Sequence, residues 1–316
     1  MRSHQKQIGV LLANVALMAT LGLRTHGFFT AENFTDLFLS IMPVMIVSIG
    51  MTLIILTGHI DISVGSVFAV CSIVMGTCAA AGVPLLVSGL IACLLGAFLG
   101  GLNGVFSSYL RIPSIVVTLA TMVILRDALR WKTQGAWVSN LPERFQWFGV
   151  SPAIYNLMCA ALVVMLIAAA SYGLRYLRAG RIIFATGSNE QAAAMTGINT
   201  NLVIFSVFTI TGLLTGFASA LNAVRFNQIP VNLGLGLEMK VIAAVAVGGA
   251  EITGGSVSIA GTVLGVILLG CISSALTFLQ INAYWEKAIQ GAIILIAVAS
   301  GAIQHYRRQN AKSALS

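Results

Sequence analysis

Two carboxylates stand where charge is costly. Asp61 and Glu251 each border long apolar runs. A charged side chain at the centre of a bilayer costs about 2.5–3.5 kcal/mol on insertion scales, so such a group needs water, a partner or a helix N-terminus. Their surroundings echo one another: Asp61-Ile-Ser-Val-Gly-Ser-Val67 and Glu251-Ile-Thr-Gly-Gly-Ser-Val257 share four of seven positions. The plain chemistry is capping, in which the carboxylate accepts from the amides of the following helix. The functional alternatives are a polar gate, a strained re-entrant turn and proton coupling, and the last would want a His or a second acid nearby. Asp61, Ser63, Gly65 and Ser66 in one copy, and Glu251, Thr253 and Ser256 in the other, are the candidate pathway residues. The echo is either an internal repeat of the sort transporters use or a coincidence in a chain rich in Gly, Ile, Ser and Val.

A second stretch, Gly187 to Ile198, has the signals of a very short helix. Ser188-x-x-Gln191 fits a capping box, Glu190 suits the positive end of a helix dipole, and Gly197 fits a C-terminal stop. About eight residues make a helix near 12 Å long, too short to cross a membrane. Its small, mildly apolar face is Ala192, Met195 and Thr196. A flexible Met among alanines can fill a groove on another protein; a loop helix lying on the membrane fits equally well.

Other chemistry is hard to find. The four histidines make no i, i+4 pair, and the five cysteines are odd in number with no C-x-x-C. The thiols therefore read as small apolar residues, and neither metal nor cofactor is expected. No G-x-x-x-x-G-K-[ST] occurs, so the chain cannot cradle ATP phosphates in the usual loop, and an ATP-driven role needs a partner.

The elements that position these residues are membrane helices. Of 316 residues 58% are hydrophobic and 8% charged, against roughly 25% charged in soluble proteins. The mean hydropathy is +0.96. This composition excludes a cytosolic enzyme, a disordered chain, a nucleic-acid binder and a secreted disulfide scaffold. The net charge of +8 reflects Lys and Arg at membrane surfaces. Apolar periodicity predicts an all-α polytopic protein with ten helices, near 7–23, 39–57, 65–81, 85–108, 114–129, 152–173, 201–222, 239–250, 257–278 and 286–303. They form a single transmembrane domain over 1–316, with a basic tail at about 304–316. The start resembles a signal peptide, but an uncleaved first helix is the better reading because many spans follow.

Gly96, Gly100 and Gly104 line one face of helix 4, and Gly261, Gly265 and Gly270 mark helix 9, so close helix packing is expected there. Arg126, Asp127 and Arg130 read as a membrane-surface cluster, and Arg225, Asn227, Asn232 and Glu238 as a solvated loop. Trp131, Trp137, Trp147 and Trp285 fit interfacial anchors on the outer side, in contact with membrane lipid. Lys and Arg in the short loops number nine on the side of the termini and eight on the other, which decides nothing. The compact Arg175, Arg178 and Arg181 cluster places the termini inside.

Five motifs in order resemble one family: Thr57-Gly-His-Ile-Asp-Ile-Ser-Val-Gly-Ser66, Leu110-Arg-Ile-Pro-Ser-Ile-Val-Val-Thr-Leu119, Gly187-Ser-Asn-x-x-Ala-Ala-x-x-x-Gly-Ile198, Gly236-Leu-Glu-Met-Lys-Val-Ile-Ala-Ala244 and Gly248-Gly-x-x-x-x-Gly-Gly255. The chain is similar to permease subunits of bacterial ABC sugar importers of the ribose type. Within that group the stretches Arg111 to Arg130 and Gly135 to Pro142 look most like permeases for rhamnose or autoinducer 2. The resemblance implies about ten helices, a second permease copy or paralogue, a cytoplasmic ATP-binding subunit, a periplasmic solute-binding protein, an inner-membrane location and cytoplasmic termini. It also implies that Ser188, Asn189, Glu190, Gln191, Ala192, Met195 and Gly197 form a coupling helix facing the ATPase, the chain itself not being an enzyme. His59, Glu251 and the pair Val257-Ser258 depart from the family pattern. The rival reading is an ion-coupled secondary transporter acting without an ATPase. A membrane enzyme would need a metal or nucleophile constellation.

Overall fold

A computed structural model describes residues 2–24, 27–282, 284–296 and 299. Its helices are α1 (Arg2–Arg24), α2 (Ala31–Leu56), α3 (Val64–Ala80), α4 (Leu85–Ser108), α5 (Ser114–Thr133), α6 (Pro152–Tyr176), α7 (Arg178–Ser188), α8 (Glu190–Met195), α9 (Thr200–Ala223), α10 (Leu237–Val247) and α11 (Ile259–Phe278). Residues 284–296 are helical as well. Five helices are long and apolar enough to cross a membrane, namely α2, α4, α6, α9 and α11, and shorter apolar stretches lie at Gln7–Leu23 and Val64–Ala80. The protein is an all-α polytopic membrane protein. The expected basic tail and both chain ends lie outside the described residues.

Two helices differ from expectation for local reasons. Helix α2 begins at Ala31 rather than near 39, because the Thr30 side chain accepts from Asn33 N and Glu32 sits in the first turn. Between the helices expected to end at 173 and begin near 188 lies a further helix, α7, which holds Arg178 and Arg181, while Arg175 belongs to the end of α6. Helix α7 is amphipathic rather than apolar, so a search for apolar runs passes over it.

Contacts define two ends of the bundle. At one end lie the C-terminus of α2, the α4–α5 turn, the N-terminus of α9, and α7 with α8. At the other, Val138 and Ile229 exchange both backbone hydrogen bonds at 3.0 Å, and Trp147 N donates to Val224 O. The centre is close helix packing. A Cβ on Gly96 would fall 2.3 Å from Gly212 O, and one on Gly265 would fall 2.1 Å from Ala244 O. Only glycine permits α4 to meet α9, and α11 to meet α10, at that distance.

Helix α10 starts inside the bundle. The chain leaving α9 packs Ile229 against Gly76 of α3, then brings Gly234 O against Gly65. Those two glycines are eleven residues apart on α3, about 16 Å at 1.5 Å per residue. Residues 225–236 therefore fold back into the protein before α10 begins.

Candidate functional site

The short helix α8 carries the first predicted site. Its cap is Asn189, whose Oδ1 accepts from Ala192 N at 3.0 Å; Ser188 is instead the last residue of α7. The capping-box reading is thus corrected by one position, since an extended Asn189 ends one helix and starts the next. Gly197 takes the left-handed conformation (φ +84°) and stops the helix. Only Ala193 is buried along α8, while Glu190, Gln191, Ala192 and Met195 face outward, Met195 being 89% exposed. The helix is a projecting knob, with Ala193 buried beneath it and Glu190 bonded to Thr200.

The knob is joined to the bundle through glycines. A Cβ on Gly187 would lie 1.7 Å from Leu56 O, at the end of α2. Gly255 N donates to that same oxygen at 3.0 Å. Gly254 (φ +92°) lies against the backbone of Gly58 and Gly187 O. Three backbone segments, 56–58, 187–188 and 253–255, thus meet without intervening side chains. The end of α7 is in direct backbone contact with the end of α2 and with the turn before α11. Beside the joint is a cavity of about 530 Å³ lined by His59, Arg111, Glu190 and Gln191 among others. Burial holds the His59 imidazole below its ordinary pKa, against the hydrogen bond with Thr57 O, so it is neutral at pH 7. Thr200 Oγ1 donates to Glu190 Oε1 at 3.3 Å.

Asp61 is buried at 2% exposure. Its Oδ1 accepts from Ser63 N at 2.8 Å and from Ser63 Oγ at 2.6 Å. Asn103 Nδ2 donates to Ser63 Oγ at 2.9 Å, and Thr121 Oγ1 donates to Asn103 Oδ1 at 2.7 Å. Ser66 Oγ donates to Met122 O at 2.9 Å. This network ties the entry of α3 to α4 and α5. Gly65 faces the other way, towards Gly234 and Glu238.

The echoing acid behaves differently. Glu251 is exposed, its N–H donates to Ser256 O, and α11 is capped by Ser258 Oγ accepting from Gly261 N at 3.2 Å. The capping role expected of Glu251 is therefore taken by Ser258, because residues 251–257 form a turn rather than a helix start. Thr253, Gly254 and Gly255 of that turn reach the joint below α2, where they meet Leu56 and Gly58, residues that precede the first echoing segment.

Several charged groups sit deeper than expected. Arg126 is 9% exposed and donates to Leu233 O at 3.2 Å, whereas Asp127 and Arg130 form an exposed ion pair at 3.4 Å. The surface reading holds for the pair and fails for Arg126, which the inward-folded segment covers. Arg225 donates to Leu39 O and to Asn222 Oδ1, so it is packed rather than solvated, while Asn227 and Asn232 of the expected solvated loop are exposed. Lys240 Nζ lies 2.6 Å from Glu286 Oε1, which also accepts from Gln290 Nε2 at 3.2 Å and from Ser273 Oγ. These partners are 46 positions apart in the chain, and no sequence pattern links them.

The described helices thus form a glycine-packed membrane bundle with a helix entering from within and a small exposed knob on backbone joints. The chain matches the family described as branched-chain amino acid transport system / permease component over residues 33–298, and it belongs to that family of ABC importer permeases. It is 34% identical over 298 residues to the autoinducer 2 import system permease protein LsrC of Photorhabdus luminescens, covering 92% of this chain and 88% of the relative. It is 36% identical over 286 residues to the protein of the same name from Yersinia pseudotuberculosis, covering 90% and 81%. No solved structure matches it significantly.

Proposed function

We propose that this chain is a pathway-forming subunit of an autoinducer 2 importer in a bacterial inner membrane. It forms one transmembrane domain with both termini in the cytoplasm. It works with a cytoplasmic ATP-binding subunit, a periplasmic solute-binding protein and a second permease, copy or paralogue. ATP hydrolysis takes place on the partner. The observation that carries this reading is the knob at α8, with Met195 exposed and Gly187 pressed on Leu56 O. A partner that grips Glu190, Gln191, Ala192 and Met195 moves α2 and the 253–255 turn as it closes. Asn189 and Gly197 fix the length of the knob, and Ser188 is its hinge to α7. The network of Asp61, Ser63 and Ser66 keeps the entry of α3 attached to α4 and α5, so that movement at the joint reaches the helices lining the path. Gly65 lets the inward-folded segment approach α3, while Glu251, Thr253 and Ser256 shape the turn that gates the inner end. ATP binding then selects between outward- and inward-open states by stabilising one of them.

The test replaces Glu190 by Arg and Met195 by Asp in the assembled importer. ATPase binding and autoinducer 2 uptake should both fall. If both stay normal, α8 is not where the motor is coupled.

A further inference from the structure

At the end of the bundle opposite α8 lies a second cavity, of about 260 Å³, lined by Arg126, Arg130, Gly135, Trp137, Val231, Asn232 and Leu235. The backbone bridge between Val138 and Ile229 holds the Trp137 loop over the inward-folded segment. Arg126 fastens the bottom of that segment through Leu233 O. Of the inward-folded segment, Val231, Asn232 and Leu235 line this cavity.

The lining has a distinct chemistry. The Trp137 indole is 58% exposed and offers an apolar face with a polar edge. Asn232 is exposed and offers an amide that both donates and accepts. Arg130 presents a planar fork of donors. Arg130 is already paired with Asp127 and Arg126 gives its hydrogen bond to Leu233 O, so both guanidinium groups have partners and a neutral solute needs no counter-charge from the lining. The volume is below the roughly 300–1,000 Å³ of sites for drug-sized ligands.

We propose that this cavity is a solute subsite in the outer mouth of the pathway. It takes a small, neutral, polyhydroxylated ring, stacked on Trp137 and hydrogen-bonded by Asn232 and Arg130. This rests on the importer reading, because the cavity must face the solute-binding protein.

The experiment uses the full importer in proteoliposomes, with autoinducer 2 as the probe and three readouts: uptake against concentration, ATPase rate, and affinity for the solute-binding protein. Trp137→Ala and Asn232→Ala should each lower maximal uptake at least fivefold, with ATPase rate and binding-protein affinity unchanged. Trp137→Phe should restore most of it. Normal uptake in both alanine variants overturns the subsite. A fall in uptake that tracks a loss of binding-protein affinity overturns it too, and makes this surface a protein-docking site. Failure of the importer reading looks different: wild-type uptake would then be absent or independent of the ATPase.

Discussion

Replacing Gly187 by Ala puts a methyl group into the joint below α2. The Cβ would fall 1.7 Å from Leu56 O and 3.2 Å from Gly255 N. Ordinary contact begins near 3.4 Å, so the α7 and α2 backbones must part by about 1.7 Å. Leu56 O also accepts from Gly255 N, and moving it weakens that bond. Over-packing typically costs about 1–3 kcal/mol, and a hydrogen bond contributes about 0.5–1.5 kcal/mol. Taken as lost coupling, 1–3 kcal/mol is roughly a 5- to 150-fold change between the two states of the bundle. The assay is ATP-dependent uptake by the reconstituted complex beside its ATPase rate. Gly187→Ala should lower uptake at least fivefold while hydrolysis continues, which is uncoupling rather than unfolding. Gly89→Ala is the control: it lies in α4 with nothing within 4 Å of the new Cβ, and alanine is the better helix former. Uptake by Gly187→Ala equal to that of Gly89→Ala refutes the idea that force crosses this joint.

Asn189→Ala removes the cap of α8 and should cost the knob about 1 kcal/mol, read as weaker binding of the ATPase to the detergent-solubilised permease; unchanged binding would mean that the partner holds the helix regardless of its cap. Asn103→Leu strips Ser63 and Thr121 of a partner and should destabilise the bundle by about 1–3 kcal/mol, seen as a lower melting temperature in detergent. Glu286→Gln keeps a hydrogen-bonding group but discharges the partner of Lys240. The double variant with Lys240→Met should recover part of the lost stability, because the unpaired, half-exposed charge is then gone, and strictly additive losses would contradict that pairing.

The parts of this molecule written locally were legible. Apolar runs placed α3, α4, α5 and α9 within a few residues, and glycine spacing on α4 announced its approach to α9. The short helix at 190–195 was visible in its own cap, acid and stop signals, although the expected cap, Ser188, fell one position before the actual one, Asn189. What stayed hidden depends on distance in the chain. Nothing in the sequence around Gly187 says that Leu56 O will lie against it. Arg126 looked like a surface residue because the segment that covers it comes a hundred positions later. The matching stretches at Asp61 and Glu251 show the limit of local analogy. One is drawn into a buried network by Asn103, while the other lacks such a neighbour and stays an exposed turn.

The most direct check is the exposure of residue 195. With the five native cysteines replaced, Met195→Cys should resist a membrane-impermeant maleimide in intact cells. It should react after permeabilisation and be shielded when the ATP-binding subunit is present. Labelling of that cysteine from outside intact cells would put the knob on the wrong face of the membrane, and labelling indifferent to the ATPase would leave it without its partner.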